Sequence, residues 1–218
     1  MSARYDVLVF DWDGTLIDSA GHIAVSLQAA FRDLGLEVPS DEAARHVIGL
    51  GLEDTVRYLN PSLDKDRYQE LVERYRVHFL AGDEGVELFP AVAKGIPLLQ
   101  QAGYLMAVAT GKSRRGLDRS LLATGLHTYF HASRCADEGF PKPHPDMLHE
   151  IMRALGAAPE RTLMIGDTTH DLQMAQNAGV AAVAVTYGAH APAKLVSMNP
   201  LACVESFEGL MQWLQQNG

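Results

Sequence analysis

The chain has 218 residues, of which 47% are hydrophobic and 21% charged, the composition of an ordinary soluble globular protein. Its net charge of −9 argues against a nucleic-acid partner, because such surfaces need a basic stripe. No apolar run approaches the roughly 20 residues that span a bilayer and no signal peptide is evident, so we expect a cytoplasmic protein without a membrane partner.

The first predicted element is a strand, and a helical insert follows it. Residues 5–10 (YDVLVF) form a nearly continuous apolar run, as expected for a parallel strand covered by helices on both faces. No strand is evident from residue 19 to about residue 84, where apolar residues recur at helical spacing. The insert is expected to contain helices over 20–35 and 64–82, two shorter helices around a glycine-containing turn within 41–59, and a return linker over 82–90. We therefore predict a helical subdomain over residues 19–84.

Strands alternate with glycine-terminated helices through the rest of the chain. Buried strands are predicted over 104–110, 162–167 and 181–186, with a short one near 129–133. The helical stretches end at Gly103, Gly125, Gly156 and Gly179, and a last helix is predicted over 206–216. This alternation predicts a Rossmann-like, doubly wound parallel α/β sheet formed by residues 1–18 and 85–218.

Polar residues follow three of the predicted strands, where ligand sites of open α/β sheets lie. They are Asp11 and Asp13, Thr110 and Gly111, and Asp167 with Asp171; one lysine, Lys142, lies in a nearby loop. Carboxylates that converge within a few ångströms cannot all stay ionised without a counter-charge. Lys142 offsets one charge, and a divalent cation with hard oxygen ligands, Mg²⁺, suits the remainder.

This set of groups can transfer a phosphoryl group. A carboxylate such as Asp11 can act as nucleophile, and a second one two residues later, Asp13, can protonate a leaving alcohol and then activate water. The hydroxyl and amide groups of Thr110 and Gly111, with the ammonium group of Lys142, can hold the phosphoryl oxygens.

Four segments in chain order resemble the motifs of the haloacid dehalogenase superfamily. They are DWDGTLIDS (11–19), VATGKS (108–113), FPKPHPDML (140–148) and MIGDTTHDLQMAQNAG (164–179). The insert after the first motif resembles the cap of the phosphoglycolate-phosphatase-like branch, and the likeness extends from about residue 5 to about residue 190.

The resemblance implies particular roles for the acidic residues. Asp11 would be the nucleophile and a magnesium ligand, and Asp13 the general acid/base with its backbone carbonyl on the metal. Asp167 would also ligate magnesium, and Thr110 and Gly111 would bind the phosphoryl group. Because family dehalogenases lack the second aspartate and phosphonatases usually replace it, Asp13 argues against both.

The remaining implied roles concern the surroundings of the phosphoryl group. Lys142 would bridge that group and Asp11, and Asp171 would support Lys142 and the water shell of the metal. Residues 14–19 would be a hinge for cap opening. The family often has glycine where this chain has Ala91, a departure that affects only the linker turn.

Other residues are interpreted more openly. The turn within HVIGLGLED (46–54), with Gly49, Leu50 and Gly51, is a candidate for contact with the substrate or an ordinary interhelix turn. His46 is either a helix-surface residue or a contact. We expect His144 and His170 to be variable loop residues and Trp12 to pack away from the acids.

The sequence thus predicts a Mg²⁺-dependent phosphatase of small phosphorylated metabolites, with phosphoglycolate-like monoesters as substrates, in a monomer or homodimer. The alternatives are a sugar-phosphate mutase of the β-phosphoglucomutase type and a pyrophosphate or nucleotide phosphohydrolase. A catalytically silent phosphate-binding regulatory module is the alternative from another class.

Overall fold

The computed structural model describes residues 4–82 and 87–218, which contain a six-stranded parallel sheet. The strands in chain order are β1 Val7–Phe10, β2 Leu105–Thr110, β3 Ala132–Cys135, β4 Thr162–Gly166, β5 Ala181–Val185 and β6 Ala202–Val204. Their order in the sheet is β3-β2-β1-β4-β5-β6. Since β1 lies between β2 and β4, the sequence that follows β1 emerges at the centre of the sheet, at the switch point of the doubly wound topology.

Ten α-helices connect and cover the strands within the described residues. They are α1 Ala20–Asp33, α2 Asp41–His46, α3 Leu52–Leu59, α4 Lys65–Gly82, α5 Val92–Gln101, α6 Arg114–Thr124, α7 Asp146–Leu155, α8 Thr169–Asn177, α9 Pro192–Val196 and α10 Phe207–Asn217. None of the helices in this part of the chain is both long and apolar enough to cross a membrane.

The sheet is buried on both faces, as its continuous apolar strands predict. Leu8 and Phe10 belong to the hydrophobic cluster on one face, and Val7 and Val9 belong to the cluster on the other. All four are fully buried. Because successive side chains of β1 point to opposite faces, this one strand contributes to the hydrophobic core on each side of the sheet.

Helices α1 to α4 follow β1 and have their own hydrophobic core. This core contains Leu27, Phe31, Val56 and Leu71. As predicted, the segment has no strand up to Gly82, where the described residues of this part end, and two short helices surround its glycine-containing turn. The predicted linker over 82–90 lies partly outside the described residues, but Glu87 returns next to the outgoing chain, where its carbonyl accepts a hydrogen bond from the amide of Asp18 at 2.8 Å.

The short strand predicted near 129–133 is present, but it lies slightly later in the chain. Strand β3 is Ala132–Cys135, because Tyr129 and Phe130 pack beside the core and the amide of Tyr129 donates to the carbonyl of Leu126 in a turn. The short elements α9 and β6 were not predicted. Their lengths of 5 and 3 residues are too short to produce a recognisable periodicity.

Candidate active site

Asp11 begins the loop that follows β1 and is 1% exposed. Its backbone amide donates to the carbonyl of Ile165 in β4 at 2.9 Å, so the ladder continues to this residue. The next amide, of Trp12, donates to Asp11 Oδ1 at 2.6 Å. The indole of Trp12 points into the core, where its N–H donates to Ser120 Oγ at 2.8 Å. The expectation that Trp12 packs away from the acids therefore agrees with the structure.

Lys142 lies between two buried carboxylates. Its Nζ is 2.8 Å from Asp11 Oδ1 and 2.6 Å from Asp171 Oδ1, and its side chain is completely buried. Burial opposes a charge on Lys142, but the two carboxylates outweigh burial and raise the lysine pKa. The two carboxylates therefore favour the charged form of Lys142, which joins the third sequence motif to the first and the fourth.

Asp171 is positioned by the start of helix α8. Its Oδ2 accepts hydrogen bonds from the backbone amide of Thr168 at 3.1 Å and from the Thr168 hydroxyl at 2.7 Å. The Thr168 hydroxyl accepts the amide of Asp171 in return, which forms a capping box. This local pairing leaves Oδ1 of Asp171 directed at Lys142.

Asp167 lies at the end of β4 in a tight enclosure. Its Oδ1 accepts from the Thr15 hydroxyl at 2.8 Å, and its Oδ2 accepts from the Ala189 amide at 2.7 Å. A Cβ added to Gly14 or Gly188 would lie 2.2 or 2.3 Å from Asp167 Oδ2. Glycine is therefore required at both positions for the backbone to approach the carboxylate.

The charges of the buried carboxylates are incompletely balanced. Burial raises the pKa of Asp11 well above its ordinary value; Lys142 opposes this, and Asp171 and Asp167 add to it. Burial and the charge of Asp171 raise the pKa of Asp167 to about 7, despite its two hydrogen bonds. The single positive charge of Lys142 therefore faces three buried carboxylates.

The arrangement fits a hard divalent cation. Carboxylate oxygens of Asp11, Asp167 and Asp171 lie within 4.8 Å of one another. Oδ2 of Asp11 is buried and has no hydrogen-bond partner among the described residues. An all-oxygen donor set with an unsatisfied carboxylate oxygen suits Mg²⁺ better than a metal that prefers nitrogen or sulfur ligands.

Asp13 has two partners that the sequence analysis did not identify. Its Oδ1 accepts the Ser19 hydroxyl at 2.6 Å and lies 3.0 Å from Lys112 Nζ. The ammonium group of Lys112 also lies 4.8 Å from the ring centroid of Phe79 in α4. The position of Lys112 directly after Thr110 and Gly111 could have pointed to it, since that segment is predicted to bind the phosphoryl group.

The predicted substrate-contact turn lies against the predicted phosphoryl-binding segment. Thr110 is fully buried, and a Cβ added to Gly111 would lie 2.6 Å from the carbonyl oxygens of both Gly49 and Leu50. A Cβ added to Gly51 would meet Pro141 at 3.4 Å. The residues from 49 to 51, called the 49–51 turn below, therefore lie over the end of β2.

A cleft of about 1140 Å³ opens beside these groups, and Asp11, Asp13 and the 49–51 turn line it. Its wall also includes basic side chains from α3, α4 and α6: Arg57, Arg76, Arg115 and Arg119. Arg57 and Arg76 pair with acidic neighbours on their own helices. The cleft is large enough for a phosphorylated metabolite together with its leaving group.

The histidines differ in part from expectation. His144 is an exposed loop residue, as expected, and packs on Phe140. His170 is not a loop residue: it lies in the first turn of α8, half-buried, and its Nε2 donates to the carbonyl of His46 at 2.7 Å. His46, at the end of helix α2, therefore contacts helix α8 through its backbone carbonyl.

The chain is similar to known proteins along most of its length. The model of a family described as "Haloacid dehalogenase-like hydrolase" matches residues 8–185. The chain is 39% identical over 207 residues to "Probable phosphatase IndB" of Dickeya dadantii, covering 92% of this chain and 90% of that protein. It is 30% identical over 216 residues to a phosphoglycolate phosphatase of Vibrio parahaemolyticus, covering 94% of each. The crystal structure of a hydrolase from Pseudomonas syringae superposes with a TM-score of 0.89 at 19% identity, covering 97% of this chain and 98% of that one, which is a likeness of fold.

Proposed function

Because the chain belongs to the haloacid dehalogenase-like hydrolase family, we propose that it is a Mg²⁺-dependent phosphatase of small phosphorylated metabolites. Phosphoglycolate-like monoesters are the substrate class that we favour, since a relative that aligns over 94% of the chain is named phosphoglycolate phosphatase. We further propose that residues 19–84 are a cap over a core formed by residues 1–18 and 85–218.

The observation that carries this proposal is the environment of Asp11. One carboxylate oxygen is held by Lys142 and the amide of Trp12, and the other is buried without a hydrogen-bond partner in the part of the chain that the structure describes. These contacts fix the orientation of the carboxylate, and its second oxygen leaves a position open for the metal. Asp11 would form a bond to phosphorus while the bond between phosphorus and the ester oxygen breaks, which gives an aspartyl phosphate.

Asp13 would move the protons of the two steps. It would give a proton to the leaving alcohol in the first step. In the second step it would accept a proton from the water that attacks phosphorus, while the bond to Asp11 breaks and inorganic phosphate leaves. Ser19 and Lys112, which contact Asp13 at 2.6 and 3.0 Å, would hold its carboxylate in place for both transfers.

The remaining groups would bind and orient the phosphoryl group. The Thr110 hydroxyl, the Gly111 amide and the Lys142 ammonium group would face its oxygens and balance the charge that develops on them. Asp171 would hold Lys142 in that position through the 2.6 Å ion pair.

Asp11, Asp167 and the backbone carbonyl of Asp13 would hold the metal, and Asp171 would support its water shell. The cation would supply positive charge that screens the carboxylates from the anionic substrate and polarises the phosphoryl group.

Hydrolysis of p-nitrophenyl phosphate with Mg²⁺ and with EDTA tests the proposal, followed by a panel of phosphate monoesters, pyrophosphate and nucleotides. We expect Mg²⁺-dependent release of inorganic phosphate from monoesters without a bisphosphate activator. Asp11→Asn is expected to abolish it, whereas Asp18→Asn, which changes an exposed carboxylate on the same segment, retains it. Absence of metal-dependent activity across the panel would contradict the proposal.

A further inference from the structure

Three histidine rings meet where the end of helix α2 contacts helix α8 and the segment that follows β5. His46 is the last residue of α2, His170 is in the first turn of α8, and His190 follows β5. Each pair of ring centroids is separated by 5.2 Å. The three residues are far apart in the sequence, so only the tertiary fold assembles this group.

Two of the rings bind one backbone oxygen of the third residue. The carbonyl oxygen of His46 lies 2.7 Å from His170 Nε2 and 3.0 Å from His190 Nε2. Carbonyls of the last helical turn have no partner within the helix, and a carbonyl has two lone pairs that can accept both donors. The His46 carbonyl at the C-terminal end of α2 thus accepts hydrogen bonds from a side chain of α8 and from one that follows β5.

Hydrogen bonding fixes the tautomer of His190. The backbone amide of Thr169 donates to His190 Nδ1 at 3.0 Å, so Nδ1 is the acceptor and Nε2 carries the proton. Neither nitrogen then has a lone pair free for a metal ion. Three histidines at this spacing would otherwise suit zinc or a similar metal, but these contacts favour a hydrogen-bonded role.

Burial disfavours the charged form of the three rings. It lowers the pKa of all three histidines, to about 4 for His190. A neutral imidazole still carries one N–H donor, which is enough for the hydrogen bond that His170 and His190 each make to the His46 carbonyl.

The contact connects the 49–51 turn to the segment that carries Asp171. The His46 carbonyl is three residues before Gly49, where the 49–51 turn begins, and His170 is directly followed by Asp171, the partner of Lys142. We propose that His170 and His190 are positioning residues that hold the carbonyl of His46 and thereby fix the 49–51 turn over Gly111. The kinetic consequence rests on the proposed phosphatase function, whereas the structural consequence does not.

An exposed ion pair nearby provides a control. Lys194 Nζ is 2.9 Å from Glu42 in the same helix α2, and the two side chains are 46% and 81% exposed. Pairs of this kind contribute little. Lys194→Met therefore removes a contact between the same two regions without altering the hydrogen bonds to His46.

Hydrogen exchange of the full chain, saturated with Mg²⁺, tests the structural part. The amides of Ile48 and Leu50, which donate to Arg45 and Val47, report on the turn. His190→Asn keeps an acceptor for Thr169 but is too short to reach His46, so we expect exchange at both amides to rise about five- to ten-fold. Exchange within β1 and β4 should not change, and Lys194→Met should match the wild type.

Replacing His170 by Asn or by Gln gives two amide side chains that differ only in length. Asn at this position is too short to donate to the His46 carbonyl, whereas Gln places its amide N–H near the position of Nε2. We expect faster exchange of the turn in His170→Asn and near wild-type exchange in His170→Gln. Unchanged exchange in both Asn variants, or equally fast exchange in His170→Gln and His170→Asn, would overturn the proposal.

Kinetics separate positioning from general stability. With p-nitrophenyl phosphate, the Asn variants should raise KM about ten-fold while kcat stays within about three-fold, because the turn lines the cleft that would hold the leaving group and the catalytic groups are unchanged. A fall in kcat with unchanged KM would overturn the positioning role. If exchange rises but no phosphate ester is hydrolysed even by the wild type, the phosphatase function fails and the structural role of the histidines stands.

Discussion

Replacing Lys142 by methionine is the sharpest test of the electrostatic arrangement. The substitution keeps a side chain of similar length and removes the charge between Asp11 and Asp171, which approach the ammonium group to 2.8 and 2.6 Å. The lysine side chain is 0% exposed, so bulk water cannot replace the lost contacts. Removing one partner of a buried ion pair typically costs about 3–5 kcal/mol, and we expect this loss in the free energy of unfolding.

Urea unfolding at pH 7.5 in EDTA measures this loss without a contribution from bound metal. Lys194→Met, which breaks the exposed pair with Glu42, should cost less than about 1 kcal/mol. Adding Asp171→Asn to Lys142→Met should recover part of the stability, since one of the two uncompensated charges is removed. Equal small losses for Lys142→Met and Lys194→Met would refute the buried-charge reasoning.

Three further predictions concern the metal, the turn and the linker. Asp167 has a pKa of about 7 against about 3.9 when unfolded, so its contribution to the stability of metal-free protein is lost as pH rises from about 4 to 7. Because Mg²⁺ requires the ionised carboxylate, added Mg²⁺ should raise the Tm of the protein more at pH 8 than at pH 5.5. A larger rise in Tm at pH 5.5, measured by thermal unfolding, would contradict this. Gly111→Ala would place a Cβ 2.6 Å from carbonyl oxygens of the 49–51 turn, so the backbone of the turn must shift. This variant should lower kcat/KM about 10- to 100-fold and should also lower Tm; an unchanged kcat/KM would count against this contact. Ala91 has a φ of 65°, so Ala91→Gly should stabilise the protein by about 0.5 kcal/mol after the entropy of glycine is offset, whereas Ala93→Gly inside helix α5 should destabilise it by about 1 kcal/mol in urea unfolding.

The parts of the site that follow strands could be predicted from the sequence. Asp11 and Asp167 come directly after apolar runs, and parallel strands bring such positions to one edge of the sheet. The register confirms this, since Phe10 pairs with both Val108 and Ile165. Lys142 was found through its motif, although its burial between two carboxylates depends on the complete fold.

Contacts between distant segments could not be predicted. The position of Lys112 after Gly111 places it near the predicted phosphoryl group, but not its contact with Asp13. Neither the strand nor the helix periodicity fixes the direction of a lysine side chain in a loop. The His46–His190 contact joins positions 144 residues apart. Strand β6 has only 3 residues, so its pairing at the edge of the sheet, and not its sequence, identifies it.

The proposed mechanism requires that Asp11 becomes phosphorylated during turnover. The most direct measurement is acid quenching of the enzyme during hydrolysis of p-nitrophenyl phosphate with Mg²⁺, followed by mass spectrometry of the peptide that contains Asp11. We predict an added phosphoryl group on Asp11 in the wild type and none in Asp11→Asn. Asp13→Asn should remain folded and bind Mg²⁺, and its turnover should fall about 10²- to 10⁴-fold. Steady turnover without a phosphorylated Asp11, or equal mild losses in the two variants, would contradict the account.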